Sequence, residues 1–332
     1  MFIVDSYSLA VLLCFVTMLC WGSWGNTQKL AGRSWRYELF YWDYVIGVLL
    51  FSVLSAFTLG SIGTGGRSFV ADLLQADAKN IMSAFIGGIV FNASNILLSA
   101  AIAIAGMSVA FPLGVGIALV LGVIVNYAAS QKGNSTLLFL GVALVVIAII
   151  LNALAYKAKD KNQKSSARGI LISLVAGVLM AFFYRFIAAS MDLDNFYMPQ
   201  AGKMTPYTAV FIFSTGIFIS NFLFNTLLMR KPFTGAPVSY RDYFRGGLAT
   251  HFTGILGGLI WGLGNSLNLI AAGKAGAAVS YGLGQGATMV AAFWGVFIWK
   301  EFKDSPRNVS TKLRWMFLLF IVGLACIIIS GR

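Results

Sequence analysis

The sequence predicts an all-α polytopic membrane protein of about ten transmembrane helices, arranged as two inverted five-helix repeats. Three observations carry this. The 332 residues are 58% hydrophobic and 11% charged, with mean hydropathy +0.82, a composition that excludes an ordinary soluble globule and leaves no room for a hidden soluble domain. Apolar windows of bilayer-spanning length fall near 8–25, 41–59, 81–103, 107–127, 136–155, 168–189, 207–228, 248–271, 276–299 and 314–330. Finally, Gly87 to Gln131 returns without a gap 170 residues later as Gly257 to Glu301, with Gly87/Gly257, Gly88/Gly258, Asn95/Asn265, Gly106/Gly276, Gly114/Gly284 and Gly116/Gly286 in register. Five spans per half is an odd number, so the second copy is inverted and the pseudo-twofold lies in the membrane plane. Residues 1–156 form the first repeat, 157–167 a basic cytoplasmic linker and 168–332 the second repeat.

The elements follow in order. The opening MFIVDSYSL has no basic region and no small-residue cleavage site, so the first run is a retained span and not a signal peptide; it carries Trp21 and Trp24. Span 2 holds Asp43 just inside its cytoplasmic end. The connection GSIGTGGRSF at 60–69 is Gly-rich but lacks the Lys-Ser/Thr ending of a phosphate-binding loop, and reads as a flexible external turn. Span 3 bears Asn92 and Asn95. Span 4 bears Pro112, Gly114 and Gly116, and its counterpart, span 9, bears Gly282, Gly284 and Gly286 with Gln285 among them. Both stretches are expected to weaken the helix and open carbonyls toward a cavity, although close packing of small residues accounts for them equally well. Span 6 holds Tyr184, with Arg185 near its external end, and span 8 holds Trp261, Asn265 and Asn268. Cys14, Cys20 and Cys326 lie in apolar runs without metal-ligand spacing, so neither a metal nor a cofactor is expected.

Orientation follows from the basic residues. Of 24 lysines and arginines, 17 fall on one side: Lys29, Arg33 and Arg36, then Lys157 to Arg168, then Arg230 to Arg245, then Lys300 to Arg314. Six fall opposite, and Arg185 lies within a span. The basic side is therefore cytoplasmic and both termini lie outside. The net charge of +13 is a topology signal and implies no nucleic acid. Trp35, Tyr37, Tyr41, Trp42, Tyr240, Tyr243, Trp294, Trp299 and Trp315 cluster near span ends and read as an interfacial aromatic belt.

Polar groups inside spans are the candidate site, because hydrocarbon tolerates them only where they face a protein interior or a wet cavity. Asn92 and Asn95 share a face of span 3, and Asn265 and Asn268 repeat the spacing on span 8. Their amides suit a neutral solute bearing NH and C=O or OH groups; they would serve equally to tie helices together. Trp21, Trp24, Tyr184 and Trp261 are placed to stack a flat ring or cap a sugar face, and Gln285 adds an amide at the break in span 9. Asp43 is the candidate for proton coupling, with an ion pair to Lys29 or Arg36 as the alternative. The single histidine, His251, belongs to no HExxH or GxSxG pattern, so no enzyme is expected.

Several stretches resemble the ureide permease family: Tyr41-Trp-Asp-Tyr44 followed by Ala56 to Gly63, the hairpin Gly87 to Val109 with Asn95, Arg230-Lys-Pro-Phe-Thr-Gly235 with Asp242-Tyr243, and Gly262-Leu-Gly-Asn265 with Phe293-Trp-Gly295 and Glu301. That family lies within the drug/metabolite transporter superfamily and is similar, more distantly, to bacterial glucose/ribose porters and the rhamnose–proton symporter. The resemblance implies a ten-helix plasma-membrane carrier importing allantoin, uracil and related heterocycles with protons. A monosaccharide–proton symporter is the alternative. An exporter of lipophilic cations would need a carboxylate near a span centre, and no Asp or Glu lies there. The expected partners are a small-molecule substrate, the bilayer and a proton or other coupling ion; a homodimer is compatible with the pattern.

Overall fold

The computed structural model describes residues 1–32, 35–105, 107–159, 166–233, 235–303 and 305–332. Arg33, Gly106, Lys161 and Lys164, named above, lie outside them, as does most of the basic linker. Fourteen α-helices follow in chain order: α1 (Tyr7–Ser23), α2 (Asn26–Leu30), α3 (Tyr37–Phe57), α4 (Phe69–Gln75), α5 (Ala78–Ala105), α6 (Met107–Ala129), α7 (Ser135–Lys159), α8 (Ala167–Ala189), α9 (Pro206–Arg230), α10 (Tyr240–Phe244), α11 (Leu248–Ala275), α12 (Ala277–Gly284), α13 (Ala287–Phe293) and α14 (Arg307–Ser330). A π-helical turn, Trp294–Ile298, extends α13. Among the described residues ten helical stretches are long and apolar enough to cross a membrane: α1 with α2, α3, α5, α6, α7, α8, α9, α11, α12 with α13 and the π turn, and α14. Each falls on one of the ten apolar windows, as expected when some 20 apolar residues are needed to cross the hydrocarbon core.

Local chemistry sets the ends. Ser6 accepts a hydrogen bond from the Leu9 amide at the start of α1, and Ser239 and Asp242 form a capping box on α10. Pro206 opens α9, where the missing N–H costs nothing. Gly276, at φ +80°, lets α11 reverse into α12 with no intervening loop residue. Within the bundle, large apolar side chains face outward and small ones inward. In α8, Leu171, Val175, Val178 and Phe182 are exposed toward the lipid position, while Gly169, Ser173, Ala176 and Gly177 are buried. That is the pattern of helices that associate by close backbone approach when lipid removes the hydrophobic drive.

The main crossings come in matched pairs. Helix α5 packs on α8 and α11 on α1; α3 packs on α11 and α9 on α5; α6 packs on α8 and α12–α13 on α1; α7 packs on α14. Gly258 lies against Tyr44 O and Gly47, and Gly88 lies against Phe213 O and Gly216, each too close to admit a Cβ. Ser94 Oγ donates to Ala176 O at 2.7 Å where α5 meets α8, and Thr17 Oγ1 donates to Gly264 O at 2.9 Å where α1 meets α11. Gly258 and Gly264 stand 170 residues after Gly88 and Ser94.

The two Gly-rich stretches behave differently. Span 9 breaks as expected: α12 ends at Gly284, Gly286 N bonds Leu283 O at 2.9 Å, and the helix restarts at Ala287. Span 4 does not break, since α6 runs through Pro112. Pro112 is only the sixth residue of α6, so its missing N–H removes one bond near the helix start and leaves the rest intact.

Candidate substrate site

Spans α1–α2, α5, α6, α7, α8, α11 and α12–α13 enclose a cavity of about 1040 Å³. Its lining runs from the molecular centre to exposed Lys29, Gly32 and Trp299 at the basic end; among the described residues none from the connections 60–77, 130–134 or 190–205 reaches it. The cavity therefore opens only at the basic end.

The opposite end is tied shut. Arg67 pairs with buried Asp72 at 2.8 Å and donates to Pro199 O at 2.8 Å and to Lys203 O. The second Asp72 oxygen accepts from the Thr205 amide at 2.7 Å, and Gln75 and Asn80 bind Gly202 and Lys203 backbone groups. Such charge-assisted bonds to a buried carboxylate are among the stronger ones a protein makes. In the same connection, burial and the nearby positive charges of Lys79 and Arg185 hold the Lys203 amine below its ordinary range.

Five of the residues singled out by sequence line the cavity: Trp21, Trp24, Asn95, Trp261 and Gln285. Trp21 and Trp261 stack with centroids 6.0 Å apart and planes 12° apart, and Phe91 lies 4.5 Å from Trp261. Asn95 donates to Tyr41 OH at 3.2 Å, which leaves its Oδ1 free for a solute. Four others lie outside the lining. Asn92 accepts from Tyr41 OH at 2.9 Å and donates to Ile217 O and Ser220 Oγ, tying α5 to α3 and α9. Asn268 donates to Ser280 O at 2.9 Å and its carbonyl accepts from Ser280 Oγ at 2.7 Å, tying α11 to α12. Tyr184 is buried behind the wall against Phe183 and Tyr281. Asn265 is 1% exposed, and neither polar atom of its amide has a partner.

Asp43 also lies off the cavity, but its setting differs from the ion pair anticipated. Lys29 pairs with Glu301 at 3.1 Å and Arg36 with Glu38 at 2.6 Å. Asp43 instead accepts from Trp35 Nε1 at 3.3 Å and Tyr243 OH at 2.7 Å, with His251 Nδ1 at 2.8 Å. Bare Gly254 leaves the space its side chain fills. Burial, reinforced by the Asp43 carboxylate, pushes the Tyr243 phenol well above its ordinary value, so it remains a donor.

Sequence reasoning missed the mouth. Trp35, Tyr37, Trp294 and Trp299, placed above in an interfacial belt, line the cavity, whereas Trp315 is exposed as a belt residue should be. Tyr156 OH donates to Glu301 at 3.2 Å, and Lys29 sits 4.7 Å over the Trp299 ring. The ionised groups along the lining, Lys29, Arg36, Glu38 and Glu301, all sit at this mouth in pairs. The floor is aromatic and amide only. A neutral solute gains stacking and hydrogen bonds there, and an ion would forfeit its hydration without a counter-charge.

Ten spans around a cavity open at one end, with an uncharged floor, define a multi-pass membrane permease. The chain belongs to the ureide permease family, whose profile matches residues 40–169 and 156–330. It is 26% identical to Ureide permease 1 of Arabidopsis thaliana over 388 aligned positions, covering 100% of this chain and 99% of the relative. It is likewise 26% identical to Ureide permease 2 of the same plant, with the same coverage. A match to the Probable glucose uptake protein GlcU of Priestia megaterium is 26% identical over 235 residues and 68% of each chain. A solved structure described only as the crystal structure of a protein aligns with TM-score 0.61 at 14% identity over 96% of this chain and 97% of its own; that likeness concerns the fold alone.

Proposed function

We propose that this protein is a secondary carrier importing small neutral polar metabolites, ureides and nucleobases such as allantoin or uracil, coupled to protons through Asp43. The observation that carries the solute class is the cavity floor: Trp21, Phe91 and Trp261 offer flat faces, Asn95 and Gln285 offer amides, and no charge lies among them. Stacking of a heterocycle on one such ring contributes about 1–3 kcal/mol, and each amide adds directional donors and acceptors. The names of the plant relatives support the same class.

Mechanism follows from the matched crossings. Two inverted five-helix repeats that can exchange conformations give alternating access to a central site. With the basic end cytoplasmic, the structure is inward-open and both termini face outside, in a plasma or bacterial inner membrane. Asp43, hydrogen-bonded to His251 and close to the mouth residue Trp35, would carry the proton.

The second reading, a monosaccharide, is favoured by the glucose-uptake relative and by aromatic walls that also cap sugar faces. Titrating the purified protein while following tryptophan fluorescence separates the two, because Trp21, Trp24 and Trp261 all line the cavity. Saturable quenching by allantoin or uracil, with glucose silent, is expected; saturation by glucose alone would overturn the solute assignment.

A further inference from the structure

Phe91 and Trp261 occupy equivalent positions of the two repeats, 170 residues apart, and their rings meet at 4.5 Å. Equivalent residues touch each other only where a twofold axis passes, so this pair marks the centre of the molecule. Helix α5 runs toward the basic end and α11 away from it. Asn95, one turn beyond Phe91, therefore lies on the basic side of the centre, and Asn265, one turn beyond Trp261, lies on the opposite side.

These equivalent amides have opposite environments. Asn95 is 8% exposed, reaches the cavity and is held by Tyr41. Asn265 is 1% exposed and shut away from the cavity, and both its Nδ2 and Oδ1 lack partners. A buried amide with no hydrogen bond is costly and rare in native proteins, and demands an explanation in another state of the molecule. Trp21 Nε1, likewise buried without a partner, lies beside Gly264, the residue before Asn265.

We infer that Asn265 is the solute-binding amide of the outward-open state, as Asn95 is of the inward-open state, so that the solute changes amide partner as it passes the Phe91/Trp261 pair. The inference rests on the alternating-access reading. In the inward-open structure the Arg67–Asp72 latch is closed and Asn265 waits unpaired. When that latch opens, Asn265 gains access to the opposite face and Asn95 loses access to the basic face.

The test is thiol accessibility in vesicles, in a background with Cys14, Cys20 and Cys326 replaced. Asn95→Cys should react with an impermeant methanethiosulfonate only from the basic face, and Asn265→Cys only from the other. Removing the latch with Arg67→Ala should raise labelling at 265 and lower it at 95, each by about tenfold, the equivalent of one lost charged hydrogen bond. If position 95 responds to Arg67→Ala but 265 stays unlabelled, or labels from the basic face, the inference is wrong and alternating access stands. If neither position responds, alternating access itself is wrong and the inference falls with it. Should Asn265→Cys fail to reach the membrane, Asn265→Ser is assayed by transport of allantoin and uracil: KM from the opposite face should rise about tenfold with KM from the basic face unchanged, and equal KM changes on both faces would overturn the inference.

Discussion

Asp43→Asn should abolish concentrative, pH-dependent uptake while leaving solute exchange intact. The asparagine keeps the shape and still accepts from Trp35 and Tyr243, whose donors stand 3.3 and 2.7 Å from the present carboxylate, so local packing changes little. What it removes is the negative charge opposite His251 and the site at which a proton can be loaded. Exchange persists because rocking of the two repeats needs no net charge movement. His251→Gln should reproduce the flattened pH profile, since it removes the other titratable partner of the pair. The readouts are accumulation ratio against pH and counterflow at zero gradient. An Asp43→Asn protein that still accumulates solute with an unchanged pH profile would make the Asp43–His251 pair a structural tie between α3 and α11.

Trp261→Ala should be the most damaging change in the floor. Trp261 stacks on Trp21 and touches Phe91, Phe213 and Tyr44, so its removal takes away a wall of the site and the ring at the centre of the molecule. Loss of one base-stacking face is worth about 1–3 kcal/mol, roughly a tenfold to hundredfold rise in KM for uracil. Truncating a buried tryptophan also costs about 3–5 kcal/mol of stability in soluble proteins, so abundance must be measured alongside. Trp261→Phe keeps a flat face in the same place and should recover most of the affinity. Equal transport by Trp261→Ala at normal abundance would remove the aromatic floor from the account.

Much of the architecture was legible because bilayer thickness imposes it. A span needs about 20 apolar residues whatever its neighbours, so all ten windows fall on helices. The internal repeat was legible at Gly88/Gly258 because close backbone crossings require glycine in both copies. The site was legible only in part. Asn92 and Asn95 are three residues apart on one helix, and a modest rotation decides which faces the cavity and which bonds Ile217 and Ser220; that rotation is set by α9, which the local pattern does not encode. The partner of Asp43 comes from 208 residues away. His251 belonged to no motif, and its meaning appears only once Gly254 brings α11 against α3. Trp35 and Trp299 have the interfacial composition of a lipid belt, and only the splayed basic end turns them into a cavity mouth. Pro112 shows the converse: a helix breaker is harmless when it falls near the start of α6.

The most direct measurement is uptake of labelled allantoin and uracil by proteoliposomes containing only this protein. The account predicts saturable uptake of both, mutual competition, accelerated exchange against internal solute, and accumulation driven by an inward proton gradient and lost in Asp43→Asn. Uptake of glucose with no uptake of either heterocycle, or linear uptake without competition or counterflow, would contradict it.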